Sequence, residues 1–392
     1  MKLRPNPLLA AVAEPPIAEA HGWIRGRTFP AHKPLIDVAQ AVPGYPPPAE
    51  LTGHLARVVG EPRLSRYTEI VGRADLRAAL AADMNAQYGG DVAADDLLIA
   101  AGCNQSFCLA TLALAAPGDE VLLPLPYYFN HQMWLEMVGV TPVHLPFRPD
   151  RGGVPDPADA AAAIGPKTRA IVLVSPNNPT GAVYPPEVIA EFHALARAHG
   201  IALVLDETYR DFMPEDGAPH ALFRDASWRE SLIHLYSFSK VFALTGYRVG
   251  AVAAGSDLLA QIAKVMDTVA ICAPNIGQEA ALYGLGHLSD WRRGNTELMR
   301  RRRQALLDAF RRNDLGYELV SCGAYFAYLR HPFRGRTAID VAKRLAAEQN
   351  MLCLPGSMFG PAQDDFLRLA FANVEAEVMP DIADRLAADA RR

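Results

Sequence analysis

Short apolar runs alternate with helix-length amphipathic stretches between about residues 74 and 286. One such stretch, Glu187 to His199, places Val188, Phe192 and Leu195 on one side of a helix. Strands that alternate with helices predict an α/β fold, in which a mostly parallel sheet is covered by helices on both faces and carries its sites beyond the strand ends. The predicted strands are Leu97–Ala100, Glu120–Pro124, Ala170–Val174, Ile201–Leu205, Leu232–Tyr236 and Val249–Ala253.

The chain divides into an N-terminal arm, a large domain and a smaller one. At 392 residues it is longer than one hydrophobic core usually fills. Residues 1–48 are rich in proline, which indicates an extended arm, and residues 49–286 hold the alternating pattern of the large domain. From residue 287 to residue 392 a long helix, two strand-like runs (Tyr317–Val320 and Ala324–Leu329), and then helix, strand and helix predict a small α+β domain that the arm joins.

Composition and charge are those of an ordinary folded enzyme. Hydrophobic residues make up 50% of the chain and charged residues 21%, which excludes a disordered or fibrous protein. The net charge of −5 gives no general attraction to nucleic acid or anionic lipid. We interpret the one basic run, Arg300 to Arg303, as a solvated helix face, and we expect no nucleic-acid partner.

The sequence also predicts a cytoplasmic protein without a membrane span. It has no apolar run of about 18 residues, and the segment from Met1 to Ala20 has no apolar core of the kind found in signal peptides. Its five cysteines form no CxxC pair, and no histidine cluster has zinc spacing. We therefore expect reduced thiols, no disulfide framework and no metal site.

Residues that can carry chemistry follow three consecutive predicted strands. The segment Ser175-Pro-Asn-Asn-Pro-Thr-Gly181 follows the first, Asp206-Glu-Thr-Tyr209 the second, and Ser237-Phe-Ser-Lys240 the third, with Arg248 eight residues further on. Alone, the first segment is equally typical of a turn, because Asn, Pro and Gly are turn residues. Together the segments supply partners for a phosphate, a phenolic oxygen, a basic ring nitrogen and an aldehyde. Pyridoxal phosphate has all four groups.

The set of motifs resembles that of the class I/II aminotransferases, which are pyridoxal-phosphate-dependent enzymes of fold type I. The motifs SPNNPTG, DETY, SFSK and TGYRVG occur in family order, with AGCNQ upstream and RLAFAN downstream, and they span residues 36 to about 373. The arm segment from Gln40 to Pro48 is similar to that of kynurenine and glutamine aminotransferases. The resemblance implies a large domain with a mostly parallel sheet flanked by helices, plus a smaller α+β domain.

The resemblance implies three catalytic residues. Lys240 would hold the cofactor's aldehyde as an internal aldimine and then shuttle the proton during transamination. This role requires that burial and the nearby Arg248 lower the pKa of an amine that is ordinarily about 10.4. Asp206 would pair with the pyridine nitrogen and so keep the ring an electron sink. Tyr209 would donate a hydrogen bond to the phenolic oxygen, together with Asn178.

The phosphate would be held by backbone and side-chain donors. Gly102, Cys103 and Asn104 follow the strand Leu97–Ala100 and open a predicted helix, Gln105–Ala115, whose first N–H groups face an anion. Ser237 and Ser239 add hydroxyl groups, and Arg248 adds a guanidinium that can bind two phosphate oxygens.

Two tyrosines complete the expected cofactor site. Tyr128 would stack on the cofactor ring. Tyr67 matches a tyrosine that, in relatives, reaches the phosphate of the neighbouring subunit. The resemblance therefore implies a homodimer with shared active sites.

On the substrate side, the resemblance assigns the α-carboxylate to Arg368, with Asn178 beside it. Arg368 lies in the motif Leu367-Arg-Leu-Ala-Phe371, and a bidentate pair with a carboxylate suits its guanidinium. Ala41 and Trp23 match positions that line the side-chain pocket of relatives. We expect a substrate with a neutral side chain of medium or large size.

The predicted function is transfer of the amino group of an L-α-amino acid to a 2-oxo acid by a ping-pong mechanism. A fold-type-I lyase or synthase, for example a C–S β-lyase, is the alternative, because motifs that bind the cofactor do not separate it from a transaminase. An effector-binding domain of a transcription regulator is less favoured. The arm has no helix-turn-helix pattern and no basic patch.

Overall fold

A computed structural model describes residues 3–312 and 315–391. Residues 1, 2, 313, 314 and 392, which fall within the predicted arm and small domain, lie outside the described residues. The helices are α1 Pro7–Ala11, α2 Pro16–Gly22, α3 Ala49–Val58, α4 Ala74–Tyr88, α5 Cys103–Leu114, α6 Phe129–Met137, α7 Pro157–Ala163, α8 Pro186–Ala198, α9 Phe238–Val241, α10 Ser256–Ala270, α11 Asn275–His287, α12 Ser289–Ala309, α13 Ala338–Gln349 and α14 Met379–Ala390. The strands are β1 Ile36–Asp37, β2 Leu97–Ala100, β3 Glu120–Pro124, β4 Thr141–Leu145, β5 Thr168–Val174, β6 Ala202–Asp206, β7 Leu232–Ser237, β8 Gly250–Ala253, β9 Glu318–Gly323, β10 Phe326–Arg330, β11 Met351–Leu352, β12 Leu354–Pro355 and β13 Phe366–Ala370.

The large sheet has the strand order β2-β8-β7-β6-β5-β3-β4. The strands β4, β3, β5, β6 and β7 pair in parallel, and β8 runs antiparallel to both of its neighbours. Successive residues of β6, such as Leu203 and Val204, are both buried, because helices cover both faces of the sheet. The predicted α/β class is therefore confirmed.

The strand β4 is absent from the predicted set. Its sequence, Thr-Pro-Val-His-Leu, is only partly apolar, and most of its residues are half-buried. It lies at the edge of the sheet and pairs only with β3 in the described residues, so Pro142 removes no hydrogen bond that a second neighbour would need.

A smaller antiparallel sheet, with the order β12-β13-β10-β9, lies in the C-terminal part of the chain. The helices α12, α13 and α14 contribute buried residues to its core, among them Leu306, Leu345 and Leu386. The N-terminal segment reaches this region, since β1 pairs in parallel with β11. That segment also contains α1 and α2 where an extended arm was expected, and both helices begin with a proline at a position where the missing N–H costs nothing.

The loop that follows β5 touches the small sheet directly. Ser321 Oγ donates a hydrogen bond of 2.7 Å to the backbone oxygen of Thr180. Gly181 has a φ of +75°, and a Cβ at this position would lie 2.6 Å from the backbone nitrogen of Gly323. Only glycine fits this close approach, which fixes the loop that bears Asn178 against the small sheet. In the part of the chain that the structure describes, no helix has the length and apolar content needed to cross a membrane.

We predict that Gly181→Ala lowers the free energy of unfolding by at least about 2 kcal/mol, because the methyl group meets backbone that cannot move aside. Gly200→Ala is the matched control, since Gly200 has a φ of +64° but nothing within 4 Å of an added Cβ. The control should lose only about 1 kcal/mol, from the left-handed backbone alone. Denaturant unfolding of the two variants measures the difference, and equal losses would contradict the predicted contact.

Candidate active site

Twelve of the predicted site residues line one cavity of about 370 Å³. It opens where β5, β6 and β7 end, so the parallel pairing of these strands brings their following segments together. The twelve residues are Ala41, Cys103, Asn104, Tyr128, Asn178, Asp206, Tyr209, Ser237, Ser239, Lys240, Arg248 and Arg368. Gly102 directly precedes Cys103, and a Cβ added to it would collide with the guanidinium of Arg248.

Lys240 lies in the short helix α9, which begins directly after β7. Its Nζ donates a hydrogen bond of 2.6 Å to the backbone oxygen of Ala41 in the N-terminal segment. Burial lowers the pKa of Lys240 to about 8, and the positive charges of Arg248 and Arg368 lower it in the same direction. A substantial fraction of this amine is therefore uncharged at mildly alkaline pH.

Asp206 ends β6 and is buried. Burial alone raises the pKa of this carboxyl, but His131 and the N–H of Thr208 more than offset that effect, so its pKa lies below the usual value. His131 Nε2 is 3.4 Å from Asp206 Oδ2, and the N–H of Thr208 donates to Oδ1 at 2.9 Å. Asp206 is therefore held in its ionised form.

His131 is a site residue that sequence reasoning missed. It lies on α6 and stacks on Phe107, with ring centroids 4.0 Å apart. The available signal was its spacing, because a residue three positions after Tyr128 faces the same side of a helix.

Tyr209 and Tyr128 bring phenol groups to the cavity. Burial raises the pKa of Tyr128 to about 12 and also raises that of Tyr209 well above its usual value, so both stay protonated. Tyr128 Oη donates to Asn104 Oδ1 at 3.2 Å and accepts from Asn130 Nδ2 at 2.9 Å. Both phenols can therefore act as hydrogen-bond donors at neutral pH.

The segment around Gly102 and Arg248 is built for an anion. The N–H groups at the start of α5 have no partner within the helix. Arg248 adopts a left-handed backbone with φ of +53°, which a non-glycine residue adopts at a cost and which is typical of functional positions. Its Nη1 donates to Ser239 Oγ at 3.4 Å, and Ser237 lies on the same wall. The arrangement directs N–H and O–H groups and one positive charge into the cavity.

Arg368 is a second guanidinium of the cavity; it lies on β13 and, unlike Arg248, is buried. Its Nη1 donates to Asn178 Oδ1 at 3.1 Å, and its Nη2 donates to the backbone oxygen of Ala39. No carboxylate of the described residues forms an ion pair with it, and burial lowers its pKa to about 10. A buried cation without an anion favours binding of an anionic ligand.

Asn178 owes its position to the turn that contains it. The neighbouring Asn177 side chain accepts hydrogen bonds from the N–H and the hydroxyl of Thr180, at 3.0 and 2.8 Å, and donates to Tyr184 Oη at 3.0 Å. These contacts hold the turn, and Asn178 then lines the cavity beside Arg368.

Apart from Gly102, two predicted site residues, Trp23 and Tyr67, are not among those that line the cavity. Trp23 directly follows α2 and lies under Lys343, whose Nζ is 5.5 Å from the centre of its ring. Ile17 of α2 faces the cavity instead. Tyr67 is 75% exposed. The roles expected for both residues stay predictions.

The chain is similar to aminotransferases over most of its length. The family model described as "Aminotransferase class I and II" matches residues 29–386. A putative aminotransferase of Bacillus subtilis, YugH, is 30% identical over 311 residues, which cover 78% of this chain and 79% of that protein. An aspartate aminotransferase of Sulfolobus acidocaldarius is 28% identical over 82% of this chain and 81% of that one. The structure of the Thermus thermophilus aspartate aminotransferase with maleate superposes with a TM-score of 0.88 at 26% identity, over 99% of this chain and 100% of the other.

We predict that Arg248→Gln raises the pKa of Lys240 in the ligand-free protein, because it removes a nearby positive charge. In the unsubstituted protein, labelling of Lys240 by an amine-reactive reagent should be half-maximal near pH 8. In the variant this midpoint should move to higher pH. Peptide mass spectrometry across pH measures both values, and a midpoint near 10.5, the ordinary lysine value, in the unsubstituted protein would contradict the prediction.

The same shift sets the sign of a stability effect. Since the folded-state pKa lies below the ordinary value of 10.5, the folded protein loses this proton at lower pH than the unfolded chain. The contribution of Lys240 to the free energy of unfolding therefore rises with pH between about 8 and 10.5 and is smallest below pH 8.

Proposed function

Since this chain belongs to the family of class I and II aminotransferases, which are pyridoxal-phosphate-dependent enzymes, we propose that it moves the amino group of an L-α-amino acid to a 2-oxo acid by a ping-pong mechanism centred on Lys240. One observation carries the proposal. Three cations, the buried Arg368, the half-buried Lys240 and the more exposed Arg248, line a cavity whose single acidic residue, among the residues that the structure describes, is Asp206.

The residues of the cavity fit pyridoxal phosphate. Arg248, Ser237, Ser239 and the start of α5 would hold the phosphate, and they supply the positive charge and the hydrogens that a dianion needs. The ionised Asp206 suits a protonated pyridine nitrogen. When bound, the cofactor supplies an aldehyde and an electron-poor ring that stabilises negative charge at the substrate's Cα.

Each of the other groups that line the cavity would then have a separate role. Tyr209 and Asn178 would donate hydrogen bonds to the phenolic oxygen, and Tyr128 would cover the ring. Arg368 would bind the α-carboxylate in a bidentate pair and so orient the Cα–H bond. Lys240 would hold the cofactor at its aldehyde group. As a free amine, whose pKa is lowered to about 8, its Nζ would accept the proton from Cα and return it.

We also propose a homodimer with shared active sites. Tyr67 and Ile70 on one segment, and Val269 and Ile271 on another, are large apolar side chains left exposed in the single chain. The two segments are joined, since Asn275 Nδ2 donates to the backbone oxygen of Arg66 at 3.2 Å. An exposed apolar patch of this kind supports association with a second copy.

A cytoplasmic location is proposed from the cysteines. The described cysteines are Cys103, Cys108, Cys272, Cys322 and Cys353, and all of them are free. Free thiols suit a reducing compartment, which supports the location expected from the sequence.

We predict that Lys240→Ala abolishes turnover, because no other amine lines the cavity in the described part of the chain. Lys264→Ala is the matched control, since Lys264 is an exposed residue of α10 whose Nζ donates a hydrogen bond to Gln261 Oε1. Products separate the two candidate reactions. Transamination yields a new amino acid from the added 2-oxo acid without ammonia, whereas a lyase releases ammonia. Ammonia as the main nitrogen product would overturn the proposal.

We predict that Arg368→Gln lowers kcat/KM for an amino acid at least about 100-fold, because the α-carboxylate loses its charged partner. The amine that lacks the carboxylate but has the same side chain should react slowly with both proteins and at similar rates. The ratio of the two substrates measures the effect. If the variant slows both substrates equally, Arg368 does not bind the carboxylate.

A further inference from the structure

We infer that this enzyme takes amino acids and 2-oxo acids with neutral side chains and rejects dicarboxylic ones. The inference rests on the proposed function and names its substrate class. In a ping-pong reaction the donor and the acceptor occupy the same cavity in turn, so one restriction applies to both.

The number of positive charges in the cavity limits how many carboxylates it can pair. The cations that line the cavity are Lys240, Arg248 and Arg368, within the residues that the structure describes. The cofactor's phosphate engages Arg248, the substrate's α-carboxylate engages Arg368, and Lys240 is the reacting amine. No described cation in this chain's part of the cavity is then left for a second carboxylate. The exposed side chains proposed above to meet a second copy, Tyr67, Ile70, Val269 and Ile271, are uncharged as well, and an unpaired buried charge is costly.

The remaining wall of the cavity offers neutral hydrogen-bonding groups. Asn130 Nδ2 donates to Tyr128 Oη, which donates to Asn104 Oδ1, at 2.9 and 3.2 Å. This chain of hydrogen bonds is uncharged throughout. It leaves the amide nitrogen of Asn104 and the amide oxygen of Asn130 for a ligand, and together they match a neutral polar group such as a carboxamide. Ile17 and Val42 add apolar surface to the same cavity.

An adjoining groove offers no described cation either. Asn104 and Asn130 line both the cavity and a groove of about 180 Å³ between α5 and α6. The other side chains of this groove are Phe107, Cys108, His131, Met133, Trp134 and Met137. His131 lies beside Asp206, and the rest are uncharged. A side chain that extends into the groove therefore meets apolar groups, which favour a neutral substrate.

The test compares side chains that differ by charge but hardly by shape. The holoenzyme is mixed with glutamine or glutamate, and with asparagine or aspartate, and the rate of change of the cofactor's absorbance is followed without an acceptor. We expect each amide to react at least about tenfold faster than its acid, since the acid leaves an unpaired charge in the cavity. Equal rates, or faster acids, would overturn the inference and leave the transaminase proposal intact. Failure of every amino acid to react would overturn both.

A binding measurement gives a readout that does not depend on turnover. Maleate, the dicarboxylic acid named with the Thermus thermophilus structure, is compared with its monoamide for binding to the holoenzyme by calorimetry. The monoamide should bind at least about tenfold more tightly, because it keeps one carboxylate for Arg368 and brings no second charge. Tighter binding of maleate would overturn the inference.

A positive charge added at the neutral wall should shift the substrate preference from the amide towards the acid. Asn130→Lys places a cation beside Tyr128, and Asn130→Met has a similar length without the charge. We expect Asn130→Lys to raise the glutamate-to-glutamine rate ratio at least about tenfold relative to Asn130→Met, because the second carboxylate then finds a partner. An equal ratio in the two variants would show that this wall does not discriminate substrates by the charge of their side chains, and would overturn the inference.

Discussion

Parallel pairing of β5, β6 and β7 is the constraint on which the site depends. In this register Val174 lies opposite Asp206, and Asp206 lies opposite Leu235. The carboxyl ends of the three strands therefore lie side by side. The segments that follow them therefore deliver an amide, a carboxylate and an amine to a common cavity. A shift of one residue would turn Asp206 to the other face of the sheet, and burial of both faces makes such a shift costly.

The site keeps more positive than negative charge in a buried place. Lys240 and Arg368 are held among backbone oxygens and neutral side chains, and Asp206 is the single acid among the described residues that line the cavity. Placing unpaired cations away from water lowers the stability of the fold. This cost is tolerated where a ligand later supplies the anions that pair with them. The charge imbalance therefore links the fold to pyridoxal phosphate and an amino acid, which bring a phosphate and a carboxylate to the cavity.

The sequence predicted what local patterns encode. The strand ends at Asp206 and Ser237 were recognisable because each apolar run stops at a polar motif, and Lys240 lies in such a motif. The contact between His131 and Asp206 joins α6 to β6. The spacing from Tyr128 indicates which side His131 faces, but no local pattern identifies Asp206 as its partner. The strand β4 was missed because an edge strand lacks the apolar run of a buried one, and α1 and α2 because proline indicates both an extended chain and the start of a helix.

The N-terminal segment forms hydrogen bonds with two active-site groups that ligands would otherwise use. The backbone oxygens of Ala39 and Ala41 accept hydrogen bonds from Arg368 and Lys240, the two groups that substrate and cofactor would use. A ligand that binds Arg368 or Lys240 through these atoms would replace a carbonyl group, so part of its contact energy would offset the hydrogen bond that is lost. Under the proposed ping-pong mechanism, in which one product leaves before the next substrate binds, this exchange would lower affinity and favour release.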